Sequence, residues 1–127
     1  MNVLERIKEF LIESGTNLYT ANGGNVCIGM LPSRFNNTES AILIQMQSME
    51  SALNKDIFDM QIVFRIYGGT NKFESVLDLL SALHERLQRG STPESMILAY
   101  LVTANMTYDP DTQWPVVYAQ YNIKMAG

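Results

Sequence analysis

From Phe58 to Tyr67 the chain keeps a period of two: Phe58, Met60, Ile62, Phe64 and Ile66 alternate with Asp59, Gln61, Val63, Arg65 and Tyr67. Successive side chains of a strand point to opposite faces, so this run sets one apolar face against a core and leaves the other to water or a partner. Gly68-Gly69 breaks it, and the period then changes. Phe73, Val76, Leu77, Leu80, Leu83 and Leu87 follow the i, i+3, i+4, i+7 spacing of an amphipathic helix. Asn71, with Glu74 three positions on, resembles a capping box, and Arg86, Arg89 and Gly90 supply a cationic last turn and a stop. A long strand followed at once by a helix with one greasy side confines the chain to folds that stack helices on a sheet.

The remaining segments fit that plan. Val3, Leu4, Ile7, Phe10 and Leu11 form a helical stripe within Asn2 to Ser14, opposite Glu5, Arg6, Lys8, Glu9 and Glu13, and Gly15 ends it. Asn22-Gly23-Gly24-Asn25 is turn chemistry, because glycine takes positive φ at no steric cost. Val26 to Leu31 reads as a short extended piece stopped by Pro32. Ser33 to Ser40 reads as a mobile excursion before the apolar run Ala41 to Met46, while Gln47 to Asp56 has no clear period. Met96 to Thr107 and Val116 to Met125 are rich in β-branched, aliphatic and aromatic residues. The Tyr108-Asp109-Pro110-Asp111-Thr112 turn between them predicts an antiparallel hairpin. The expected fold is α+β, an antiparallel sheet of about four strands with two helices packed on one face. A chain of 127 residues makes one domain, 1–127, with mobile loops expected near residues 20–25 and 32–40.

Chemistry-bearing residues are sparse. Cys27 is the sole cysteine and His84 the sole histidine, which argues against an internal disulfide and a multi-histidine metal site. His84 reads as a helix-surface or boundary residue on the second helix, opposite the centre of the leucine stripe, and Cys27 as a small apolar residue in an extended segment. Asp109 and Asp111 belong to a turn and lack the further ligands and glycine of a calcium loop. Gly68-Gly69-Thr70-Asn71 lacks the lysine and spacing of a phosphate loop. Nine lysines and arginines against thirteen acids give a net charge of −4 with no basic run, so phosphate-neutralising nucleic-acid binding is not expected. Glu5, Arg6, Lys8 and Glu9 disqualify the first residues as a secretory signal. Ser95 to Thr107 falls short of the roughly 20 residues that span a bilayer. These readings predict a soluble, non-enzymatic protein with no catalytic residues, cofactor or metal. Eight methionines, six tyrosines, five phenylalanines and a tryptophan exceed what one small sheet needs inside, and Tyr67, Tyr100, Trp114 and Tyr118 are candidates for its outer face.

Val26-Cys27-Ile28-Gly29-Met30-Leu31-Pro32, then Ala41-Ile42-Leu43-Ile44, then Phe58 through Gly69 entering a helix, resembles the small virion proteins from the neck of long-tailed phages. These are the tail-terminator, tail-completion and minor-capsid proteins. The resemblance is a pattern of elements over nearly the whole chain, not a single motif. It implies a homo-oligomer, commonly a hexameric ring, at the head-proximal end of the tail tube, where it stops tube polymerisation and meets the head. Implied partners are the tail tube protein, the head connector or stopper protein, and genomic DNA passing through the lumen without specific binding, with no membrane involved. The implied location is the virion tail or neck, after assembly in the host cytoplasm. An acidic charge balance suits such a lumen, since fixed positive charge would hold phosphate. Candidate contact residues are Asn22, Gly23, Gly24, Arg34, Phe35, Arg65, Tyr67, Trp114 and Tyr118. Competing readings are a head-completion or stopper protein, a small non-enzymatic binding module with a closed apolar pocket under the second helix, and an enzyme whose scattered groups converge on folding.

Overall fold

The computed structural model describes residues 3–12, 26–29, 41–51, 57–67, 73–89, 96–108, 110 and 115–126. They form, in chain order, α1 (Val3–Leu11), β1 (Val26–Ile28), β2 (Ala41–Ser51), β3 (Ile57–Tyr67), α2 (Phe73–Arg89), β4 (Met96–Tyr108) and β5 (Pro115–Ala126). The strands make one five-stranded sheet in the order β1-β2-β3-β5-β4. The expected sheet had about four strands and was antiparallel throughout. β1 is the fifth, and it pairs parallel to β2, with Val26 opposite Ile42 and Ile28 opposite Ile44. All other pairings are antiparallel. The short extended piece expected at Val26 to Leu31 is thus present as a three-residue strand; its parallel direction is not a local property, because direction is set by the partner the strand finds.

β3 is the strand the alternation predicts, and it lies between β2 and β5, bonded to both. Its inner residues Met60, Ile62, Phe64 and Ile66 are fully buried. They pack with Ile42 and Ile44 of β2, Val117, Ala119, Tyr121, Ile123 and Met125 of β5, and one side of each helix in a single core. Burying a large aliphatic or aromatic side chain contributes about 1.5–3 kcal/mol, and this shared core is what holds helices to sheet. β2 continues to Ser51, beyond the expected apolar run, through a bulge between Met46 and Ser48. The bulge explains why Gln47 onward shows no clean period, since an extra residue inverts the in/out pattern.

α1 buries Ile7, Phe10 and Leu11, and α2 buries Val76, Leu83 and Leu87, with Leu79 and Leu80 half-buried. Leu77, counted in the stripe from its spacing, is 43% exposed. At 100° per residue it falls about a quarter turn from the line through Val76, Leu80, Leu83 and Leu87, so the helix leaves it outside. His84 and Arg86 stand roughly a quarter turn to either side of that line, at the border of the core and not opposite it. Arg86 Nε donates to the Phe10 carbonyl at 3.1 Å, and its guanidinium lies 3.7 Å from the Phe10 ring centroid. That contact ties α2 to the C-terminal turn of α1, where free carbonyls favour a cation. The predicted hairpin is present, with β4 and β5 paired antiparallel from Met96–Met125 to Tyr108–Pro115. Asn71, Gly68-Gly69 and the two loops expected to be mobile lie outside the described residues.

Candidate interaction surface

Both helices pack on one side of the sheet, so the other side carries the outward residues of four strands in register. Across β2, β3, β5 and β4 one row reads Leu43, Arg65, Tyr118, Asn105, and the next reads Gln45, Val63, Gln120, Thr103. Further along, Gln61, Asn122 and Tyr100 align across β3, β5 and β4. Leu43 and Val116 lie on this outer side and are nevertheless buried, giving it an apolar end beside a polar middle.

That polar middle is a groove of about 520 Å³, lined by Gln45, Gln47, Val63, Arg65, Tyr118 and Gln120 and bordered on the β4 side by Thr103 and Asn105. Arg65 and Tyr118 sit directly opposite each other on β3 and β5, and the guanidinium rests 5.1 Å from the ring centroid. A cation over an aromatic face contributes about 0.5–1 kcal/mol where water reaches it, and it fixes the arginine in one place. Arg65 Nε is buried without a hydrogen-bond partner among the described residues, so the groove holds a preplaced donor with unused capacity. Around it the amides bond sideways: Gln120 Nε2 donates to Gln61 Oε1 at 3.3 Å and Asn122 Nδ2 to the Tyr100 hydroxyl at 3.2 Å. Gln45 Nε2 donates to the Gly29 carbonyl at 3.2 Å, linking the groove to the end of β1, where Gly29 takes a positive φ of 82°.

Of the candidate contact residues, Arg65, Tyr67 and Tyr118 lie together on this outer side, and Tyr100 joins them from β4. Asn22, Gly23, Gly24, Arg34, Phe35 and Trp114 are outside the described residues. Sequence reasoning missed Gln45, Thr103, Asn105 and Gln120, because a polar residue in a strand ordinarily reads as plain solvent exposure. The signal was there in the amides that recur at outward positions of four strands: Gln45, Gln61, Asn105, and Gln120 with Asn122.

His84 and Cys27 are kept apart by the strand order, which sets β2 and β3 between β1 and β5. His84 Nδ1 and the Tyr121 hydroxyl share a hydrogen bond of 2.7 Å at the edge of the core. With the imidazole proton on Nε2, the hydroxyl is the donor. Burial holds Tyr121 neutral, raising its pKa to about 12. Burial likewise pushes the Cys27 thiol up, against a smaller opposing pull from Lys8. An unpaired thiol held protonated in this way is a poor nucleophile. Among the described residues no three histidines, cysteines or carboxylates come together, and no helix is long and apolar enough to cross a membrane.

No family model matches the chain, and no curated protein matches it. A solved structure does share its fold: a chain of the "Virion of native gene transfer agent (GTA) particle" superimposes with a TM-score of 0.58, covering 84% of this chain and 81% of that one at 10% identity. The α+β arrangement of a mostly antiparallel sheet with two helices on one side is therefore an architecture found in a virion-particle chain.

Proposed function

We propose that this chain is a structural protein of a phage-like virion, and within that class a tail terminator. In this reading, copies close into a hexameric ring on the head-proximal end of the tail tube, end its polymerisation and present the joint to the head. The chain works by shape, without catalysis, in the tail or neck of a virion assembled in the host cytoplasm. The observation that carries the reading is the shared fold with a virion-particle chain, which extends over most of both chains. The open sheet face supports it: a domain that stacks both helices on one side and leaves a polar groove with a preplaced arginine on the other has a surface suited to a protein neighbour. A net charge of −4 with no basic run suits a lumen through which DNA passes without being held.

The test is light scattering over a concentration series, then electron microscopy of the large species and addition of growing tail tubes. Closed annuli that halt tube growth at a defined length are the expected result. A protein that stays monomeric at all concentrations, with and without tubes, would overturn it.

A further inference from the structure

Two surfaces of opposite charge lie on opposite sides of the protomer. On the helix side, Glu74, Asp78, Ser81 and Glu85 of α2 are exposed. At 100° per residue they fall within about 60° of one another, directly across the helix from the line of Val76, Leu80, Leu83 and Leu87 that enters the core. They form a ridge about 16 Å long that points away from the sheet. On the sheet side is the groove, where Arg65 is the only charged lining residue and no lining residue is acidic.

Each surface holds something that the protomer alone does not use. Glu74 and Asp78 stand one helical turn apart, a like-charge spacing that mildly weakens a helix. Leu77, between them in sequence, is 43% exposed. In the groove, the Tyr118 ring fixes the Arg65 guanidinium, and Arg65 Nε is shut away from water without an acceptor among the described residues. A guanidinium already held in place and partly stripped of water loses less hydration and less side-chain freedom when a carboxylate arrives. Its planar fork matches that group. Val63 and the Tyr118 ring add apolar surface beside it.

We propose that the α2 ridge of one copy docks in the sheet groove of the next, with the Asp78 carboxylate on the Arg65 guanidinium and Leu77 against Val63 and the Tyr118 ring. The inference rests on the ring reading and names the two surfaces that meet at each joint. Charge complementarity selects the occupant. The groove offers one cation among neutral amides, which suits an incoming carboxylate, and this same chain carries exposed carboxylates on its far side. Shape agrees, because four strands at about 4.8 Å spacing make a face wide enough to seat a helix about 10 Å across. The two surfaces differ, so the contact is heterologous: it repeats head to tail, and a rotation between successive copies closes it into a ring.

The test is a charge exchange, read by light scattering over a concentration series and by thermal melting of dilute protomer. Asp78→Arg falls at an exposed position and turns a like-charge pair into an opposite one, so the protomer should melt no lower than wild type. Its association midpoint should nevertheless move to roughly ten-fold higher concentration or beyond. Arg65→Glu should shift the midpoint in the same direction. The double variant, with both charges exchanged, should regain wild-type association, all variants being compared below the melting temperature of the least stable. Association unchanged by Asp78→Arg, or a double variant no better than the single ones, would overturn this joint while leaving the ring standing. A wild type that never self-associates would overturn both readings.

Discussion

β3 and β4 flank the same strand, and both pair antiparallel with β5 along nearly its whole length. Judged by composition alone, β4 is the more buried of the two, since it has no charge while β3 carries Asp59 and Arg65. The structure reverses this. Every inner residue of β3 from Met60 to Ile66 is sealed, whereas β4 is open on both faces after Ala99. Burial within a protomer follows what lies over a strand and beyond it, not the strand's own hydropathy. A neutral strand left open is apolar surface that the protomer alone does not use.

The contrast breaks most directly at Phe64. Its ring is fully buried and meets Tyr121 edge-on at 5.6 Å and 84°. Phe64→Ala should cost about 3–5 kcal/mol in urea denaturation of dilute protein. The truncation Met106→Ala in β4 should stay within about 0.5 kcal/mol under the same conditions. A comparable loss at both positions would show that β4 is packed in the protomer after all.

Next in size is the joint between the helices. Arg86→Ala removes a charged hydrogen bond and a cation lying over Phe10, and should cost about 2 kcal/mol by the same measurement. Tyr121→Phe should cost about 1 kcal/mol near neutral pH, because it leaves His84 without its hydroxyl partner. This substitution also changes the response to alkali. A tyrosine whose pKa rises on folding keeps its proton while the unfolded chain loses it, so stability falls as pH climbs from about 10 towards 12. The wild type should lose more stability over that interval than Tyr121→Phe, and equal slopes would mean that Tyr121 ionises as freely folded as unfolded. A smaller effect than at the core or the helix joint belongs to the open face: Arg65→Gln should shift protomer stability by about 0.5–1 kcal/mol, measured by thermal melting.

The same contrast separates what the sequence could disclose from what it could not. β3, α2 and the hairpin were legible because a period of two, a period near four and a proline turn are local properties of the residues that bear them. Arg65, Tyr67 and Tyr118 were assigned correctly to the outer face by that alternation. Their meeting was not legible, because the Arg65–Tyr118 stack depends on the register between strands far apart in the chain. The parallel pairing of β1, the continuation of β2 past its bulge, and the exposure of Leu77 share this cause, since each is decided by a tertiary neighbour.

The position of β5 in the sheet bears on biosynthesis. The strand that joins β3 to β4 spans residues 115–126, so β3 leaves the ribosome with one side unmatched and waits for it. At about 5–20 residues per second that wait lasts several seconds. A nascent chain that stalls before Pro115 would display two adhesive strands at once, which makes premature termination there a route to aggregates and gives a holdase chaperone its natural window of action.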